Sequence, residues 1–199
     1  MNSYPGSTWP RRTEARERNR AALMRAAAEL MSEVGYANAS VAQIARRAGL
    51  STGAVYSGFG SKAGLFLALA QTQWGVPQLH DSGRGALADV VESYGRAWAR
   101  ALKRPGTRQA MLLALEFYVV NERDDDTPDV TTDLFRATRE QLAEALRAAA
   151  DARDERLRSP DELATGLIAL LQGLSQAFLL GGQPVNERMC GRLARRLVD

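Results

Sequence analysis

Residues 40–62, SVAQIARRAGLSTGAVYSGFGSK, decide how the rest of the chain is read. Ser40 followed three residues later by Gln43 is a capping-box pattern that opens a helix. Val41, Ile44, Ala45 and Ala48 form its inner face at helical spacing, leaving Gln43, Arg46 and Arg47 outward. Gly49 can take a left-handed turn without steric penalty. Ser51 then caps a second helix, Thr52 to Phe59, whose Val55 and Phe59 point inward at i and i+4. Both inward slots being apolar, Thr52, Gly53, Tyr56 and Ser57 are left on the opposite side. Ser61 caps a further helix, Lys62 to about Trp74, with Leu65, Phe66 and Leu69 packing back. Two short helices joined by a tight glycine turn fit a helix–turn–helix, whose second helix enters the DNA major groove.

Working outward, the preceding segment reads as a supporting helix from Thr13 to Val34. Its stripe is Leu23, Ala27, Leu30, Met31 and Val34, and Gly35 is its stop. Residues 1–12, with two prolines and no helical period, read as a flexible arm. The net charge of +3 is uneven: up to residue 64 there are nine basic and four acidic residues, which leaves +5 in that third. A basic segment fused to a mildly acidic remainder points to an anionic polymer as partner of the first part alone.

Residues 75–84 read as a linker, and five helices follow it: Ala86–Lys103, Thr107–Asn121, Pro128 or Asp129 to Arg156, a helix opened by Ser159-Pro160-Asp161-Glu162, and Asn186–Val198. The expected fold is therefore all-α with about nine helices. Residues 13–74 form the helix–turn–helix domain and residues 75–199 a second helical domain. Nothing marks an enzyme: His80 stands alone, no Glu-x-x-His or glycine-rich phosphate loop occurs, and Asp124, Asp125 and Asp126 lack the Gly and Glu of a calcium loop. No metal and no cofactor is expected. Cys190, the single cysteine, reads as a small apolar filler. The apolar run from Leu163 to Leu180 is interrupted by Gln172, Ser175 and Gln176, so a buried helix is expected there and not a membrane span; the expected location is the cytoplasm.

The run from Leu23 through Leu69 resembles the DNA-binding region of the TetR (tetracycline-repressor-type) family of bacterial transcriptional regulators. The matching pieces are AAAELMSEVGY (26–36), SVAQIARRAGLSTGAVY (40–56) and GFGSKAGLF (58–66). The resemblance implies that Ser51, Thr52, Gly53, Tyr56 and Ser57 lie at the groove of double-stranded operator DNA. It also implies that Ser40, Arg46 and Lys62 face phosphates. Two departures stand out. Ala39 replaces a common Thr before the second-helix cap, which removes one phosphate contact. Ser57-Gly58 is small where an aromatic or His is common, and Gly58 with Gly60 is expected to fray the end of the recognition helix.

The resemblance further implies a homodimer in which the last two helices build a four-helix bundle. Leu167, Leu170, Leu171, Leu174, Phe178 and Leu179 exceed one helix face, which suits that reading. It implies a small-molecule effector as well, and the candidate pocket residues are Tyr94, Trp98, Met111, Leu115, Tyr118 and Phe135, with Glu116 and Gln172 as polar anchors. The corresponding function is a repressor released by a largely apolar effector. A DNA-binding activator or nucleoid-type protein without an effector shares the same N-terminal third, and a helical metal-dependent enzyme is the remaining alternative.

Overall fold

The computed structural model describes residues 9–73, 77–81, 83–121, 130–181 and 185–198, and among these nine helices form and no strand. The all-α expectation holds. The chain divides into two compact units, Met1–Trp74 with Leu112–Asp124, and Gly75–Met111 with Asp125–Asp199.

The first unit contains α1 (Trp9–Asn38), α2 (Val41–Arg47), α3 (Thr52–Phe59), α4 (Lys62–Gln73) and the second part of α6 (Thr107–Asn121). Helix α1 starts four residues before the expected Thr13; the rest of the expected arm, residues 1–8, lies outside the described residues. Its helical path breaks at Gly35, where φ is 83° and ψ 166°, so the glycine interrupts the helix where its sequence position suggests, and a short helical piece continues to Asn38. Leu23, Ala27, Leu30 and Met31 are buried, as are Ile44, Val55, Leu65, Phe66 and Leu69 on the following helices, whereas Val34 is exposed.

An aromatic cluster closes this core. Tyr36 meets Phe66 and Phe117 edge-on, with ring centroids 5.0 and 5.2 Å apart, and Phe66 stacks on Phe117 at 4.5 Å. Each such pair adds about 1 kcal/mol beyond the area it buries. Beside the cluster, the Tyr36 N–H donates to Glu116 Oε2 at 2.7 Å, which satisfies a backbone group freed by the break at Gly35. A side chain on Gly64 would place its Cβ 2.1 Å from the Phe59 carbonyl oxygen, so only glycine lets α4 start so close to the end of α3.

The second unit contains α5 (Leu87–Leu102), the first turns of α6, α7 (Val130–Asp151), α8 (Pro160–Leu180) and α9 (Glu187–Arg195). Its main core joins Leu87, Val91 and Tyr94 of α5 to Leu142 and Leu146 of α7, Leu163, Leu167 and Leu171 of α8, and Ala194 of α9. Helices α5 and α9 approach so closely that a Cβ on Gly95 would lie 2.6 Å from the Cys190 carbonyl oxygen, and one on Gly191 2.8 Å from Arg96 Cγ. Cys190 is fully buried beside Ala99, Leu102 and Val185, and burial pushes its thiol up from the ordinary range. It packs as an apolar filler.

Two helices end earlier than expected, and one of them is α9, which stops at Arg195 and not at Val198. Helix α7 ends at Asp151, not Arg156, and the chain then turns through Asp154 at φ 52°. The expected opening of α7 at Pro128 or Asp129 and the Asp124–Asp126 turn lie outside the described residues. Helix α8 is long and apolar enough to cross a membrane by length and composition, but Leu163, Ala164, Leu167, Leu171 and Leu179 bury one of its faces within the unit.

A polar clasp secures the entry to α5. The Arg153 guanidinium donates to both carboxylate oxygens of Asp81 at 2.7 and 2.5 Å and to the carbonyls of Gly85 and Ala149 at 2.8 and 2.7 Å. The Arg153 side chain is 8% exposed. Its hydrogen bonds first, and the Gly83 N–H second, hold the Asp81 carboxyl down at about 2. The folded value lies below that of a free carboxylate, so the clasp's contribution is complete above about pH 4 and is lost as the pH falls toward 2. Thermal unfolding recorded from pH 5 to pH 2 is expected to weaken across that window, and an Asp81→Asn variant should fall less steeply through it. An equal fall in both proteins would locate the acid sensitivity elsewhere.

Candidate nucleic-acid interface

Helix α2 begins on a closed capping box. Ser40 Oγ accepts the Gln43 N–H at 3.2 Å, and Gln43 Oε1 accepts the Ser40 N–H at 2.9 Å. The turn follows at Gly49, φ 69°, where the Leu50 N–H donates back to the Ala45 carbonyl at 2.9 Å. Together these bonds define where α3 starts.

On α3, Val55 is buried and Phe59 half-buried, while Ser51, Thr52, Gly53, Tyr56 and Ser57 are exposed. Tyr56 is 57% exposed, so the inward slots are filled as expected and the tyrosine is left to solvent. One expectation fails at the N-terminus. Ser51 adopts the N-cap backbone conformation, but its side chain makes no capping bond. The hydroxyls of Ser51 and Thr52 and the Tyr56 ring therefore form an uncharged, hydrogen-bonding outer surface suited to groove contact.

Two further expectations differ from the geometry found. Lys62 is turned inward and not toward the outer surface. Its Nζ donates to the carbonyls of Tyr36 at 2.8 Å, Ala39 at 3.0 Å and Ala37 at 3.4 Å, and lies 4.3 Å from the centroid of the Tyr36 ring. An ammonium has three donors, and these are all engaged on the α1–α2 junction. Burial pulls its pKa below the ordinary lysine value. Ala39, where the family commonly has Thr, is buried at the same junction. The C-terminus of α3 is not left to fray. Gly60, φ 76°, donates its N–H to the Tyr56 carbonyl at 2.9 Å, and Arg20 of α1 donates to the Gly58 carbonyl at 2.9 Å.

The arginines of α2 separate. Arg47 forms a two-pronged ion pair with Glu33 of α1 at 2.9 and 2.8 Å, a hydrogen-bonded arrangement that lowers the Glu33 carboxyl. Arg46 is exposed, with its charge available to a phosphate backbone.

The effector candidates divide between the two units. Leu115, Glu116 and Tyr118 belong to the first, and Glu116 is already committed to the Tyr36 N–H. In the second unit Tyr94 and Trp98 are edge-on at 6.2 Å. Tyr94 is buried and its hydroxyl is driven up to about 12 by desolvation, while Trp98 Nε1 donates to Ser175 Oγ at 2.8 Å. Met111 packs in the small cluster around Cys190. Phe135 and Gln172 line an open groove of about 460 Å³ between α7 and α8, together with Arg136, Arg139, Ile168 and Ala169. Of the six interface candidates, Leu167, Leu171 and Leu179 are buried within the protomer's own core and Leu170, Leu174 and Phe178 are half-buried. The outward face of α8 is instead Thr165, Ala169, Gly173, Gln176 and Leu180. No group of three or more side chains able to hold a metal ion occurs among the described residues.

A capped helix, a glycine turn and a second helix presenting hydroxyls and an unpacked tyrosine define a helix–turn–helix DNA-binding regulator. The profile of the bacterial regulatory proteins of the TetR family matches residues 23–69, and that of the BetI-type transcriptional repressor C-terminal domain matches residues 91–199. The chain belongs to the TetR family of transcriptional regulators: it is a DNA-binding repressor and not an enzyme. Among curated relatives it is similar to the HTH-type transcriptional regulator BetI of Burkholderia cenocepacia, 27% identical over 198 residues and covering 92% of this chain and 94% of the relative. Among solved structures it is similar in fold to NalD, the secondary repressor of the MexAB-OprM multidrug efflux pump in Pseudomonas aeruginosa, with TM-score 0.59, 21% identity and coverage of 90% and 94%. It also resembles SmeT, the repressor of the Stenotrophomonas maltophilia multidrug efflux pump SmeDEF, with TM-score 0.60, 21% identity and coverage of 90% and 87%.

Proposed function

We propose that the chain is a cytoplasmic homodimeric repressor whose two α3 helices read the half-sites of an operator, and that a small, largely apolar effector releases it. The observation that carries the DNA side is the exposed set Ser51, Thr52, Gly53, Tyr56 and Ser57 on a helix whose other face is packed. Ser40 and Arg46 stand beside it as phosphate contacts, with Lys62 acting through the backbone it holds. So few long polar side chains on α3 leave direct base readout thin, and methyl contacts and DNA shape share the recognition.

The dimer reading is supported by α8. One of its faces lies in the core, and the opposite face carries Ala169, Gly173 and Leu180 between Thr165 and Gln176, with Leu180 82% accessible. The effector reading is supported by the α7–α8 groove and by SmeT, which has been solved as a complex with triclosan. An effector can release the repressor only by binding its non-operator conformation more tightly.

Gly173→Glu tests the dimer without harming the protomer. An added Cβ there meets nothing within 4 Å, and glutamate is a better helix former than glycine. Light scattering is expected to give a dimer for the unmodified protein and a monomer for the variant, with operator binding lost in gel shift. A variant that stays dimeric places the interface off this face.

A further inference from the structure

Helix α3 is poorly equipped to hold its own shape. It has eight residues, two of them glycine, no side-chain cap at Ser51 and no basic residue in its last turn. Isolated helices of this length are not stable, and each glycine costs roughly 1 kcal/mol relative to alanine. What secures its C-terminal end comes from α1. Arg20 Nη1 donates to the Gly58 carbonyl at 2.9 Å across 38 residues of sequence, and the same guanidinium lies 4.3 Å from the centroid of the Phe59 ring. A cation at a helix C-terminus meets the negative end of the dipole, and a planar guanidinium can lie flat on a ring while its N–H groups bond in their own plane.

We infer that Arg20 is a positioning residue for DNA recognition: it fixes the C-terminal end of α3 against α1 and thereby sets the angle at which Tyr56 and Ser57 enter the groove. Arg47 does the corresponding work for α2 through Glu33. With both attachments in place, α1 orients the two helices of the motif independently. Arg20 is exposed and adjacent to a DNA-binding surface, so the competing role is that of an ordinary phosphate contact. The two roles separate experimentally. A phosphate contact lowers affinity for all sequences alike and contributes about one unit to the salt slope. A positioning contact lowers the preference for the operator and leaves the slope unchanged.

The test uses the full-length protein, a genomic DNA fragment selected by the unmodified protein, and a scrambled duplex of equal length and composition. Arg20→Met keeps a long stem over Phe59 and removes the donor; Arg20→Lys keeps charge and a donor and removes the planar stack. The expected result is an operator-to-scrambled affinity ratio reduced about tenfold in Arg20→Met and by less in Arg20→Lys, with unchanged salt slopes. Equal loss on both duplexes with a slope lower by one, or no change on either, overturns the inference. Amide hydrogen exchange of free protein provides a readout that needs no DNA. The Gly60 amide, bonded to the Tyr56 carbonyl, should exchange faster in both variants while the Ala48 amide of α2 keeps its protection. Unchanged exchange at Gly60 overturns the inference too. Failure of the unmodified protein to select any DNA fragment would count against the proposed repressor function, and the exchange measurement would still judge Arg20.

Discussion

Tyr56→Ala is expected to lower operator affinity by about 10- to 100-fold while leaving the melting temperature and the oligomeric state unchanged. The ring is 57% exposed on a helix whose inward positions are the buried Val55 and the half-buried Phe59, so its removal opens no cavity and breaks no packing. A surface substitution of that kind changes stability by no more than about 0.5 kcal/mol. In DNA the same ring supplies apolar area and a hydroxyl on a surface otherwise made of two serines, a threonine and a glycine, so no neighbour can replace it. Gel shift or fluorescence anisotropy at fixed salt measures the loss, and circular dichroism on the same preparation establishes that the fold is intact. Operator affinity within a factor of two of the unmodified protein would mean that α3 does not present Tyr56 to DNA.

What could be read from the sequence, and what could not, follows the range of the interactions concerned. The Ser40–Gln43 capping box, the Gly49 turn, the Gly35 break and the bounds of α6 depend on neighbours within four residues, and each is found where the sequence puts it. Arg20 and Glu116 depend on carbonyl and N–H groups 38 and 80 residues away. Along the chain Arg20 is one more arginine on a basic helix, and Glu116 a carboxylate among apolar residues that reads as a pocket anchor. Neither partner carries a sequence signal, because a backbone group is the same at every residue.

The second helical domain shows a different limit. Helix α8 has more leucine than one face can hold, but the sequence does not say which leucines face inward. Burial assigns Leu167, Leu171 and Leu179 to the protomer core and leaves the outward face to Ala169, Gly173 and Leu180. Small residues on the exposed side carry little hydrophobic signal even though they suit close helix packing. The tight seam between α5 and α9 is equally silent along the chain, since it rests on Gly95 and Gly191, where the informative property is a missing side chain.

Lys62→Met is expected to destabilise the protein by about 2–3 kcal/mol and to lower its melting temperature by roughly 5–10 °C. Methionine keeps the stem against Tyr36 but leaves the carbonyls of Tyr36, Ala37 and Ala39 without their shared donor. The side chain is only partly buried and water recovers some of that bonding, which keeps the effect below three full hydrogen bonds to a charge. Position in the sequence suggested the opposite behaviour: a lysine at the first turn of α4, in a basic domain, reads as a phosphate contact. Such a contact would leave stability nearly unchanged and reduce the salt slope of operator binding by about one. The geometry requires the reverse, a large fall in melting temperature with the slope retained when binding is measured well below the transition. A stable variant with a reduced slope would show that the ammonium leaves the junction carbonyls to reach DNA. The predicted outcome would instead make Lys62 the tie that holds the start of α2, and Ser40 with it, at the position from which the turn delivers α3.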